Sequence, residues 1–192
     1  MKKVMIIVAF CVVVLLGLIV ARGSQDNNKE KLINYGKSNE QLICECAQEL
    51  QSLIEETANL SDPNLKLGCK IEQIDGATMR LTDQILEKET TFQSEECRKL
   101  FDGEVIDYIM IHFYNGKYCT AFSFKGSGIG SNTHYCELEY PLSGDEHDLW
   151  WYNDNVNYTQ EDGGYYWEDP DGDNSFFYFP ISQRLYYCEA QF

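Results

Sequence analysis

Positive charge is the scarcest commodity in this chain. Its 192 residues include 15 Lys and Arg against 31 Asp and Glu. Three of those cations, Lys2, Lys3 and Arg22, flank an apolar run, so residues 23–192 carry 12 cations against 31 anions, a formal net of −19. A surface of that sign repels phosphate, which excludes nucleic acid and anionic lipid headgroups as partners of this part. Histidine is nearly absent as well. His112, His134 and His147 are the three in the chain, with no short metal-ligand spacing between them, and His112 lies in an apolar run where a core imidazole is expected. Gly126–Gly130 is glycine-rich, but neither a helix start nor Lys-Ser/Thr follows it, which excludes a phosphate loop. There is no internal repeat and no alternation of strand with helix, so a parallel sheet is excluded too.

One long apolar stretch is present. Val4–Ala21 is 18 residues without a charge, and at 1.5 Å per residue a helix of that length reaches roughly 27 Å, enough to cross a bilayer core. Residues 1–22 therefore read as a signal anchor or signal peptide, the second because Ala21 and Gly23 supply small residues before Ser24. Lys2 and Lys3 stay in the cytoplasm and the acidic bulk is exported. The expected location is the cell membrane, single-pass through residues 4–21 with the C-terminal domain outside, or secretion if the leader is cleaved. Residues 23–37, polar at their start, read as a tether. Residues 38–192 are long enough for one extracytoplasmic domain with its own core.

Within that domain the apolar period changes along the chain. Ser38 with Gln41 suggests a capping box, and Leu42, Ile43, Cys46, Ala47, Leu50, Leu53, Ile54 and Ala58 recur at helical steps, predicting a helix over 39–59 that stops before Pro63. From Leu65 to Glu72 the period is two, and Asp75-Gly76 supplies a hairpin. Ser94–Phe101 suggests a second, short helix. Val105–Tyr114 and Tyr118–Phe124, joined by Asn115-Gly116, read as central antiparallel strands. Thr133–Tyr140 follows, and shorter strands are expected near Leu149–Tyr152, Tyr165–Trp167, Phe176–Phe179 and Leu185–Phe192. The fold class is α+β: one long N-terminal amphipathic helix packed on an antiparallel β-meander of seven to nine strands, preceded by a single transmembrane helix.

Three stretches carry a resemblance: Phe124-Lys-Gly-Ser-Gly-Ile-Gly, Thr133-His-Tyr-Cys-Glu-Leu-Glu-Tyr-Pro141, and the closing Arg184-Leu-Tyr-Tyr-Cys-Glu-Ala-Gln-Phe192. Together they make the C-terminal half similar to uncharacterised secreted or membrane-anchored proteins of Gram-positive bacteria. The resemblance implies an exported bacterial protein and transfers no active site. The chain departs from it at Cys136 and Cys188, where glycine and an aromatic residue are expected.

Seven cysteines lie beyond the apolar run. Exported domains use such numbers for disulfides, and Cys136 and Cys188 are expected on the core face of adjacent strands, there to bridge or simply to pack. Cys44-Glu-Cys46 on a helix points its thiols about 200° apart, which excludes a zinc half-site.

The densest chemical feature is the last 52 residues, with 11 acids, one base and 14 aromatics. Aromatic planes beside carboxylates stack on sugars or cradle cations, so Trp150, Trp151 and Trp167 are the candidate ligand-binding residues. Asp169, Asp171 and Asp173 are spaced like oxygen ligands for calcium, although the glycine and bidentate Glu of a helix-flanked loop are missing. No other cofactor is implied. The leading expectation is a non-catalytic, membrane-anchored domain binding a protein or glycan partner through this acidic, aromatic face. An acidic inhibitor or immunity-type protein for a basic enzyme is the second reading. A carboxylate-dependent hydrolase is the third, and it requires a cleft holding an acid of raised pKa.

Overall fold

The computed structural model describes residues 29–58, 62, 65–114, 116–125 and 134–192. The expected membrane span at 4–21 and the glycine-rich loop lie outside the described residues. Among the described residues no helix is long and apolar enough to cross a membrane. Residues 29–38 are helical and belong to a unit separate from Asn39–Phe192. The described part of the expected tether is thus helical, as good helix formers such as Lys29, Glu30, Lys31 and Leu32 allow.

The larger unit begins with helix α1, Glu40–Thr57. Asn39 is its N-cap and makes no side-chain capping bond. The Ser38/Gln41 box is therefore not used, and Gln41 instead donates to Glu45 one turn on. Ile43, Cys46, Ala47, Leu50 and Ile54 are the buried stripe. Strands β1 (Leu67–Asp75), β2 (Thr78–Asp83) and β3 (Lys88–Gln93) follow, then helix α2 (Glu95–Asp102). Ser94 caps α2 by accepting from the Cys97 amide, and Cys97, Leu100 and Phe101 turn inward. The remaining strands are β4 (Ile106–Tyr114), β5 (Lys117–Phe124), β6 (His134–Pro141), β7 (Thr159–Glu161), β8 (Gly164–Glu168), β9 (Ser175–Pro180) and β10 (Tyr186–Gln191).

All ten strands join one antiparallel sheet in the order β3-β2-β1-β4-β5-β6-β10-β9-β8-β7. The count exceeds the seven to nine expected, because β3 is exposed at five of its six positions and β7 at all three, so neither shows an apolar alternation to announce it. Leu149–Tyr152 is not a strand. A 3-10 turn at Glu146–Asp148 precedes it, and its amide at Trp150 bonds a buried carboxylate rather than a neighbouring strand.

Alternation along paired strands gives the sheet two faces. One carries Ile71, Ile109, Ile111, Phe122, Leu138, Tyr140 and Tyr187, all buried. Both helices lie on this face: Gln48 of α1 reaches the Tyr140 hydroxyl, and Cys46 meets Cys97. Fully burying each of the large apolar side chains contributes roughly 1.5–3 kcal/mol. The other face carries Lys70, Tyr108, His112, Cys119, Ser123, Glu137, Glu139 and Cys188, as the register pairs show. The 142–158 loop folds over it.

At the far edge, β8 comes very close to β9. A Cβ at Gly164 would stand 2.5 Å from Phe177 Cζ and 2.5 Å from the Tyr178 carbonyl oxygen. Gly164→Ala is expected to lower stability by about 1–3 kcal/mol in urea denaturation, since backbone cannot give way as a side-chain tip can. Gly68→Ala, whose new methyl would meet nothing nearer than 3.9 Å, should stay within about 1 kcal/mol of the parent. Equal effects at the two positions would show that the β8–β9 approach is looser than described.

Candidate functional site

The loop over the second face is pinned at several points. Asp145 accepts from the His147 amide at 2.9 Å, Ser143 donates to Asp148 at 2.6 Å, and Tyr186 donates to the Gly144 carbonyl at 2.9 Å. Leu149 is the apolar plug, buried among Phe176, Tyr178, Tyr186, Cys188 and Ala190. Lys117 bonds the His147 carbonyl, and Asp154 pairs with both His147 and Lys117 at the rim. These contacts deliver Trp150 and Trp151 onto the sheet.

Trp150 stacks flat on His112, ring centroids 3.8 Å apart. Trp151 turns the other way, edge-on to Trp150, and packs on Tyr135 and Phe192. The stacked Trp150–His112 pair stands between two clefts. One, of about 350 Å³, is walled by Trp150, Trp151, Tyr108 and Tyr135, with Lys70, Gln84, Met110 and Glu137 completing it. The other, of about 230 Å³, includes Lys117, Cys119, Tyr152 and Asp154. Burial lowers the His112 pKa to about 4, so its ring is neutral at physiological pH.

Under the tryptophans lie two buried carboxyl groups on the same face of β6. Glu139 is wholly inaccessible and Glu137 nearly so. Glu139 accepts from the Trp150 amide at 2.7 Å and from the Cys119 thiol at 3.4 Å. Ser123 donates to Glu137. Burial, followed by the charge of Glu137, pushes the Glu139 pKa up to about 7, and burial likewise raises that of Glu137. The Trp151 indole works in the opposite direction on Glu137. Among the described residues, the Trp151 indole nitrogen, Glu137 Oε2 and Glu139 Oε1 are all buried without a partner at hydrogen-bond geometry. Burial also raises the thiols of Cys119 and Cys188 well above their ordinary range, so neither is a thiolate at neutral pH.

Of the three candidate tryptophans, the fold brings Trp150 and Trp151 together and leaves Trp167 apart. Trp167 pairs with Phe176 on β8–β9 and packs against the Leu149 cluster. The side chains of Asp169, Asp171 and Asp173 are not among the described donor groups that lie within 4.8 Å of one another. Asp169 accepts from the Asp173 amide at 2.9 Å and from the Asn174 side chain at 2.6 Å, so its two oxygens shape the hairpin turn. Among the described residues, the three metal-capable side chains whose donor atoms do lie within 4.8 Å of one another are His134, Cys136 and Glu189. They sit on the helix-covered face, with Tyr187 donating to Glu189. Cys136 and Cys188 do not share a face: Cys136 pairs with Glu189 and Cys188 with Glu137. They therefore cannot bridge each other, and none of the seven described cysteines is joined in a disulfide in this structure.

The carboxyl pair at Glu137 and Glu139 escapes sequence reading, because acids are abundant and alternation along β6 assigns the core to Cys136, Leu138 and Tyr140. One signal does point to it. β5 is buried on both faces from Tyr118 to Phe124, so the adjacent β6 must be covered on both as well.

No family model matches this chain, and neither does any curated protein or solved structure. Its function must be argued from the clefts themselves.

Proposed function

We propose that this protein is a non-catalytic binding module, presented outside the cell by the apolar segment at 4–21, that holds a short glycan in the cleft of Trp150, Trp151, Tyr108 and Tyr135. The observation that carries the reading is the convergence of four aromatic rings around one concavity of about 350 Å³, a volume within the range of ligand sites. Ring faces stack on the apolar side of a sugar, while Gln84 and Lys70 supply polar groups for its hydroxyls. Trp150 is still 36% exposed, so part of its indole is free to meet a ligand.

The same geometry favours binding over hydrolysis. Carboxylate-dependent hydrolases place two acids on either side of the scissile bond. Here Glu137 reaches a cleft, whereas Glu139 is sealed beneath the Trp150 backbone. Glu137 is itself only 4% exposed, so the pair offers no open carboxyl to flank a scissile bond.

Titrating short bacterial and host oligosaccharides while following tryptophan fluorescence tests the reading. Trp150→Ala should weaken any binding about tenfold or more, the usual consequence of removing a central aromatic anchor. Binding that ignores Trp150, or no saccharide binding at all, would remove the glycan assignment. Protease shaving of intact cells tests the outward placement.

A further inference from the structure

Two thiols from different helices meet between them, far from the clefts. Cys46 on α1 and Cys97 on α2 are both fully buried, with their Sγ atoms 3.1 Å apart. That is closer than the roughly 3.5–4.0 Å at which even carbon atoms pack. A disulfide requires about 2.05 Å, so about 1 Å of movement shared between two side chains closes it. The surrounding contacts keep the pair in place. Ser94 accepts from the Cys97 amide at 3.0 Å and donates to Glu49 of α1 at 2.6 Å. One side chain thereby ties the start of α2 to α1 beside the sulfurs, three residues from Cys46 along one helix and three from Cys97 along the other.

We infer that Cys46 and Cys97 form a structural disulfide when the chain folds in an oxidising compartment. The step requires an oxidant of the small-molecule disulfide class, such as oxidised glutathione. The Cys46 thiolate attacks that disulfide, forming a mixed disulfide and releasing one glutathione thiolate. The Cys97 thiolate then attacks Cys46 Sγ, the Cys46–Cys97 bond forms, and the second glutathione thiolate leaves. Two protein thiols give up two electrons and two protons, which reappear as two glutathione thiols. Oxidation belongs to folding rather than to the finished fold, because burial and the contact with Cys97 hold the Cys46 thiol protonated and thiolate is the reactive form.

The bond would join residues 51 apart in sequence and fasten the two-helix layer to itself. For a closed loop of that length the chain-entropy model puts the gain at roughly a thousandfold in the folding equilibrium. The remaining cysteines offer no comparable pairing across β6 and β10, where Cys136 and Cys188 face opposite sides.

The test uses the full-length chain in detergent, unfolded and refolded in a glutathione redox buffer and, separately, under a thiol reductant. A peptide map without reduction should recover a linked Cys46–Cys97 peptide from the oxidised sample, lighter by two hydrogens than the sum of the free peptides. Its urea midpoint should exceed that of the reduced sample, and the Cys46→Ser/Cys97→Ser double variant should show no dependence on redox buffer. Recovery of both cysteines as free thiols after oxidative refolding, or cross-linking of either one to a different cysteine, overturns the assignment. The peptide map uses the parent chain, so it decides the matter even if the double variant does not fold.

Discussion

Glu139→Gln is expected to raise stability by no more than about 1 kcal/mol at pH 5 and by about 3 kcal/mol at pH 8. The folded carboxyl ionises near pH 7 and its ordinary value is 4.5, with burial the first cause and the neighbouring Glu137 the second. Between those values the folded state holds a proton that the unfolded chain has released. The contribution of Glu139 to stability is therefore intact below about pH 4.5, falls as pH rises towards 7, and is lost above it. Glutamine keeps an oxygen to accept the Trp150 amide and never acquires the charge.

The comparison with the parent is essential, because His112 acts with the opposite sign. Its pKa is lowered to about 4 from 6.5, so between those values the unfolded chain takes up a proton that the folded imidazole refuses. Stability from that source rises with pH over 4 to 6.5 and offsets much of the Glu139 slope in the parent's own profile. Subtracting the urea-derived stabilities of parent and variant removes the histidine, since both proteins carry it. A difference that does not grow between pH 5 and pH 8 would show that Glu139 ionises like an exposed acid, and the buried carboxyl site would have to be abandoned.

Trp151→Ala should lower stability by about 3 kcal/mol, against about 1 kcal/mol for Trp150→Ala. The two indoles are consecutive and both wall the larger cleft, but they carry different loads. Trp151 packs on Tyr135 and Phe192 and against the Leu149 cluster. Its removal leaves a cavity beside the buried Glu137. Trp150 is partly exposed and gives up mainly its stacking on His112, while its amide continues to hold Glu139. Denaturation curves for the two variants, together with saccharide titrations, separate wall from anchor. If Trp150→Ala proves the more destabilising, the roles of the two rings are reversed and Trp151→Ala becomes the variant expected to abolish saccharide binding.

Much of the fold is legible in local pattern. The period at Ile43, Cys46, Ala47, Leu50 and Ile54 describes a stripe that the structure buries, and Ser94 with Cys97, Leu100 and Phe101 marks α2 with its cap. Strands β4 and β5 oppose Tyr114 to Lys117, with Gly116 at a φ of +79° that suits glycine. Strand β3 was illegible because Lys88–Gln93 is an edge with little to bury. Leu149–Tyr152 misled because two tryptophans and a tyrosine favour strands, whereas here they roof a sheet.

The acidic balance, the helical and antiparallel segments and the clustering of aromatics towards the C-terminus follow from composition and from neighbours a few residues apart. Long-range packing selects which two of many carboxyls lose their water, which rings the tryptophans meet, and which cysteines touch. Each of those depends on strand register and on what covers a sheet face. Glu137 and Glu139 are buried because β6 lies between β5 and β10 and under a loop, a circumstance set by segments far from them along the chain.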